Sequence, residues 1–268
     1  MNKSSALLKI HLRCAFTSRG FWLSLAISIT LVIWQIISAY TPIVTSGPYP
    51  SSVFARWIGG EFHTLAGQLF YILLPLICAL PFQSRYFLDK RDGYIKILSL
   101  YASKRDLFFA YYIANYIVSF SVAVIPLLLN LLSSAMLYPS LKPQPLLSFL
   151  PSNQNALMVD LFYSNPWAYC LLYIGMIGLF MAALSCVGLA FSPCMKNVFF
   201  VISSPFIGYF IMIFALEEFG LVSYCPLYFL QPTQIDFATW PLYLIYLLAM
   251  LIVSVILFRK QVNDCEIL

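Results

Sequence analysis

Few residues in this chain have side chains that could move a proton, attack a carbon or hold a metal. Among 268 residues there are two histidines, seven cysteines and ten carboxylates. His11 and His63 fall in segments predicted to lie on opposite membrane faces. The cysteines at 14, 78, 170, 186, 194, 225 and 265 show no CxxC pair of the kind that holds zinc or shuttles a disulfide. Cys78, Cys170, Cys186 and Cys194 lie within or near apolar runs, where a thiol packs as a small hydrophobe. Cys225 falls on a predicted outer loop with no obvious disulfide partner. No GxxxxGK[ST] loop is present to cradle ATP phosphates, and no HExxH to bind a catalytic zinc. Glu217 and Glu218 stand in tandem.

Glu217–Glu218 resembles the start of the paired-glutamate motif of certain intramembrane proteases. The arginine expected shortly after is missing, because residues 219–225 read FGLVSYC. No base, nucleophile and orienting group share one depth, so the expectation is a chain without catalysis of its own. It carries no cofactor signature.

The elements that must position these residues are membrane elements. The chain is 62% hydrophobic and 9% charged, against about 25% charged for a soluble protein. Apolar runs predict spans at about 20–40, 65–83, 107–137, 166–190, 198–216 and 240–258, each near the ~20 residues needed to cross a bilayer. The run 107–137 is longer than that, so it must tilt, project or bend at Pro126. No cleavable signal peptide is visible, and the first apolar run reads as a retained span. Residues 4–18 read as an amphipathic interfacial helix, with Leu7, Leu8, Ile10, Leu12 and Phe16 on one side and Lys9, His11 and Arg13 on the other. With both termini inside, only Arg56 and Lys142 of the fifteen Lys and Arg residues fall outside, a strong positive-inside bias. The basicity is therefore a topology signal and not a nucleic-acid one.

The loops divide by composition. Residues 41–64 form an outer loop with a short amphipathic piece at 53–58; Arg56, Glu61 and His63 form either a polar cluster there or a solvated face. Residues 138–165 are Pro-rich, with a short helix expected near 156–162. Residues 217–239 are aromatic and Pro-rich, which suits short helices dipping into the outer leaflet under a cover of protein.

No predicted span carries a charge near its middle, as ion-coupled carriers need. Intramembrane polarity is limited to groups such as Asn130, either an interhelical hydrogen-bonding amide or a substrate ligand. Gly175, Gly178, Ala182, Ser185 and Gly188 give one span a small-residue face for close packing. Asn130, Gly175, Gly178 and Ser185 are thus candidates for helix packing or for lining a cargo path.

The charged block 84–106 stands out against this background. It holds six of the fifteen basic residues and three of the ten acids. Asp89, Lys90, Arg91 and Asp92 form a polar cluster that Gly93 ends. Tyr94 to Tyr101 reads as a short helix with Ile95, Leu98 and Tyr101 on one side. Ser103 is a plausible N-cap for the following span. The block is either a solvated positive-inside loop or a docking element for a soluble motor.

The order of elements resembles a permease of the type-two ATP-binding-cassette exporters. At residue level the likeness lies in Asp89, Asp92, Gly93, Leu98, Ser103 and Arg105, and in the closing run LIVSVILFRKQV. Family members often carry Glu and a Gly-Thr pair where Asp92 and Gly93–Tyr94 stand here. The resemblance implies an all-α, six-span permease with an amphipathic N-terminal helix, a cytoplasmic coupling helix and re-entrant outer helices before the last span. It implies a bacterial plasma-membrane location and pairing with a second permease, identical or not. Separate ATPase subunits would hold the ATP and Mg and dock on Asp89, Asp92, Gly93, Tyr94, Ile95, Leu98 and Tyr101. An amphipathic cargo, peptide or drug- or lipid-like, would be moved outward. A non-transporting scaffold or sensor binding a cytoplasmic partner through residues 85–106 is the other reading.

Overall fold

The computed structural model describes residues 3–40, 51–60, 64–143, 157–232 and 239–264. The expectations for Glu61, His63 and Cys265 lie outside them. The described residues form helices without strands: α1 (Lys3–Phe16), α2 (Arg19–Ala39), α3 (Val53–Arg56), α4 (Leu65–Ala79), α5 (Arg85–Arg91), α6 (Tyr94–Tyr101), α7 (Lys104–Leu137), α8 (Val159–Ser164), α9 (Pro166–Phe191), α10 (Val198–Glu218), α11 (Pro226–Phe229) and α12 (Trp240–Asp264). Among the described residues, five helices are long and apolar enough to cross a membrane: α2, α7, α9, α10 and α12. The chain is a multi-pass, all-α membrane protein. Its outer surface supports this, because Phe199, Ile211 and Phe214 of α10 and Ile245, Ile252 and Ile256 of α12 are all exposed. A contiguous apolar exterior of this kind needs lipid or protein against it.

Local sequence explains most helix ends. Side chains of Ser18, Thr64, Asn165 and Asn197 accept from backbone N–H groups of α2, α4, α9 and α10. Ser103 and Asp106 form a capping box on α7. Gly220, with φ of 68°, closes α10. α4 ends earlier than the expected 65–83. It stops at Ala79 and gives way to turns over 80–84, because Pro81 offers no N–H to continue the ladder. At 15 residues it reaches about 22 Å, short of the ~30 Å hydrocarbon layer. α7 runs unbroken through Pro126 for 34 residues, about 51 Å, so it projects beyond the bilayer.

α7 and α9 form the core. A Cβ at Gly178 would meet Val124 and Phe120 of α7 at 2.6 and 2.9 Å, so glycine is what lets these helices touch. α12 lies along α9, where the Tyr243 hydroxyl donates to Met176 C=O at 3.0 Å. At one end of the bundle, α3, α8 and α11 close over the spans. There Phe54 meets Trp167 edge-on, and the Tyr169 hydroxyl donates to Pro232 C=O at 3.2 Å. Cys225, Pro226, Phe229, Leu230 and Gln231 are buried, and the Tyr228 hydroxyl donates to Glu217 at 2.7 Å. Cys225 lies on a loop as expected, capping the turn before α11, and is buried there, and Glu217 holds a tyrosine. The other end carries α1, α5, α6 and the close of α12.

Candidate functional site

The charged block folds as two short helices set at an angle by Gly93. Its φ of 76° lies in the left-handed region, and a Cβ there would meet nothing within 4 Å, so conformation and not space selects glycine. α5, for which the sequence predicts only a polar cluster, is firmly seated. Tyr86 is buried edge-on against Tyr111 of α7 and Phe258 of α12, at 5.2 and 4.9 Å between ring centres. Asp89 is 5% exposed. It accepts from the Tyr111 hydroxyl at 2.6 Å and from Arg85 Nε at 3.0 Å. Burial raises the Asp89 pKa above the usual carboxylate value, and Tyr111 and Arg85 pull it partly back. Asp89 was expected to face a docking partner. Instead it fastens α5 to α7. Asp92 is exposed and pairs with Arg91 at 3.0 Å, an arrangement worth little in water.

α6 spans Tyr94–Tyr101 as expected. Its orientation corrects the reading of its faces. Ile95 and Leu98 are half-buried and pack on the core. Leu100 at 79%, Tyr101 at 72% and Ile97 at 55% exposure point away, with Tyr94 beside them. Helical geometry places Ile95 and Leu98 on one arc and Tyr94, Ile97 and Tyr101 on the next, so Tyr101 does not share a side with Ile95. A small cleft lies under α6, lined by Tyr86, Ile95, Ser99, Lys104, Leu107, Tyr111 and Val262.

α1 lies against α7 beside this pair. Its inward face is Leu7, His11 and Ala15, spaced by four, while Ile10 is exposed. His11, expected on the basic side with Lys9 and Arg13, instead shares the inward stripe with Leu7, and Ile10 falls about a quarter-turn off that stripe. The His11 ring sits 4.2 Å from that of Tyr111 and 5.9 Å from that of Phe82, and its Nε2 is buried without a hydrogen-bond partner among the described residues. Desolvation, with Arg85 nearby, lowers its pKa from 6.5 to about 4, so the imidazole is neutral at pH 7.

The intramembrane candidates sort by contact. Asn130 is buried; its Nδ2 donates to Gln35 Oε1 of α2 and its Oδ1 accepts from Ile58 N–H, both at 2.7 Å. It joins three segments as helix glue. Ser185 is buried on α9, within reach of Asn115 at 3.1 Å and Ser119 at 2.9 Å on α7. Ser119 also donates to Cys78 C=O of α4 at 2.9 Å. Gly178 is the α7 crossing. A Cβ at Gly175 would meet nothing within 4 Å among the described residues. The sequence reading missed Gln83, Asn115 and Gln35, three buried amides whose signal was their place in or beside apolar runs.

Compared with protein-family models, curated proteins and solved structures, the chain matches none.

Proposed function

We propose that this chain is the membrane subunit of an ATP-driven exporter, powered by separate ATP-binding-cassette ATPases. One observation carries the reading: the outward face of α6, where Tyr94, Ile97, Leu100 and Tyr101 stand exposed on a loop whose other helix is anchored to α7 and α12. Exposed leucine and isoleucine beside Lys90, Arg91 and Arg105 suit an apolar groove with an acidic rim. α6 is then the coupling helix, gripped on its outward face, and α5 passes the push to the spans. α1 lies alongside and receives the same push through Tyr111. In this arrangement α6 and both termini are cytoplasmic, in a bacterial plasma membrane. α4 is the sixth span, thin and completed by the turns to Ser84. Residues 221–232 are re-entrant outer turns under protein cover. A second permease subunit faces the exposed spans. The uncharged, aromatic spans suit an amphipathic cargo moving outward: a peptide, or a drug- or lipid-like molecule.

The test is co-purification from the native membrane, probing for an ATP-binding-cassette ATPase and comparing Ile97→Glu/Leu100→Glu with the unaltered chain. Loss of the ATPase from a still-folded variant is expected. Full retention would overturn the docking face. A complex containing no ATPase would overturn the exporter and leave the scaffold or sensor that grips another soluble partner.

A further inference from the structure

Pro205 lies inside α10. Proline has no N–H, so the carbonyl four residues earlier loses its helical donor. That carbonyl belongs to Val201. Two side chains fill the gap. The Ser204 hydroxyl donates to it from the same turn at 2.8 Å. The second donor comes from elsewhere in the fold: Nε2 of Gln83, in the turn between α4 and α5, also bonds Val201 C=O and lies 3.3 Å from Ser204 Oγ. Gln83 is fully buried, and its Oε1 accepts from Ser185 of α9 at 3.4 Å. Its amide passes α9 at Gly188, where a Cβ would strike it. A buried amide thus crosses a glycine gap in one helix to satisfy a carbonyl that a proline has freed in another.

We propose that Gln83 is the latch of a proline hinge in α10. With the amide in place, both lone pairs of the Val201 carbonyl are used and α10 is one continuous rod. With it withdrawn, only Ser204 remains and α10 bends at Pro205. Gln83 precedes Arg85, the first residue of α5, by two positions, so displacing α5 and α6 releases the latch. Under the exporter reading this carries a push on α6 into a span. The latch itself does not depend on that reading, and its test uses no ATPase.

The experiment is a double-mutant cycle on the full chain in nanodiscs, read by thermal unfolding. Gln83→Met keeps most of the volume and removes the donor; Pro205→Ala restores the helical N–H and makes the latch redundant. Gln83→Met is expected to lower Tm by about 5 °C. Most of that loss should disappear in the Pro205→Ala background. It should persist in Pro126→Ala, which alters a proline about two turns beyond Ser119 on α7. If Gln83→Met folds only together with Pro205→Ala, the latch is supported; failure in both backgrounds overturns it. Equal loss in both backgrounds would make the amide a space-filler and overturn the latch, as would no loss at all. Spin labels at Phe199 and Phe214, both exposed and about 22 Å apart along the helix, supply a second readout with Cys14, Cys194 and Cys265 replaced by Ser. Gln83→Met should broaden their distance distribution, and Pro205→Ala should narrow it again. An unchanged distribution would overturn the hinge.

Discussion

α5 and α6 are adjacent in sequence, separated by Asp92 and Gly93, and they are built in opposite ways. α5 carries charges, yet it is fastened to the bundle through Tyr86 and Asp89. α6 is the more apolar of the two, yet most of its large side chains face away from the protein. In water this inversion costs free energy at α6 unless something covers it. A handle and its mount need this division: the mount is rigid, and the handle offers an adhesive surface. The difference shows that charge alone does not mark the outward element of a loop, because a buried carboxylate held by a tyrosine and an arginine serves as an internal fastener.

The sharpest way to break the comparison is to remove an aromatic ring from each helix. Tyr86→Ala deletes a buried ring between Tyr111 and Phe258 and should cost about 3–5 kcal/mol. Tyr101→Ala deletes an exposed one and should stay within about 0.5 kcal/mol. Thermal unfolding in nanodiscs measures both. Similar losses would mean that the two helices are equally seated.

The next effect is set by pH and concerns the helix beside the mount. His11 is neutral in the fold, with its pKa lowered to about 4 from 6.5. For a base with a depressed folded value, stability is complete above about pH 6.5 and is lost as pH falls towards 4, up to roughly 3 kcal/mol. Asp89 acts in the opposite direction. Its raised folded pKa favours the protonated form, so its contribution is present at low pH and lost as pH rises. Protection of the α1 amides, taken as exchange relative to the intrinsic rate at each pH, should therefore fall on acidification in the unaltered chain, and His11→Phe should flatten that response. An unchanged profile in His11→Phe would remove the histidine from the account.

How much of this was legible follows from which forces act locally. The span positions, the α6 boundaries and the Ser103 cap come from apolar run length, a glycine and a hydroxyl at short range, and the sequence displays all three. The stop of α4 at Ala79 was readable from Pro81 and was outweighed by the length of the apolar run. The facing of α6 and α1 was not legible. Ile95 and Ile97, or Ile10 and His11, are distinguished only by which neighbouring helix lies nearby, and that depends on tertiary packing. Asp89 looked like a surface charge because its partner Tyr111 is 22 residues away. Gln83, Asn115 and Gln35 each appeared as a lone amide, with partners on other helices.

A smaller effect tests the joint between the two helices. Gly93→Ala places a Cβ in the left-handed region, which costs about 1–2 kcal/mol; the space around it is open, so no clash adds to this. Gly93→Asn should recover part of that loss, since asparagine tolerates this conformation better. If Ala and Gly proved equally stable in thermal unfolding, the angle between α5 and α6 would not depend on this residue.

The smallest expected change in stability separates the two faces of α6. Leu98→Ser empties a half-buried contact with the core and should cost about 1 kcal/mol. Leu100→Ser removes an exposed side chain and should leave unfolding unchanged within about 0.5 kcal/mol. ATPase binding should rank them the other way. If the proposed docking face is right, Leu100→Ser should weaken it several-fold, because the apolar contact it removes would belong to the interface, while Leu98→Ser should leave most of it. Stability and affinity would then be carried by opposite sides of one eight-residue helix. If Leu98→Ser lost the partner while Leu100→Ser kept it, the gripped face would be the one turned towards the bundle, and α6 would have to leave its seat to be held.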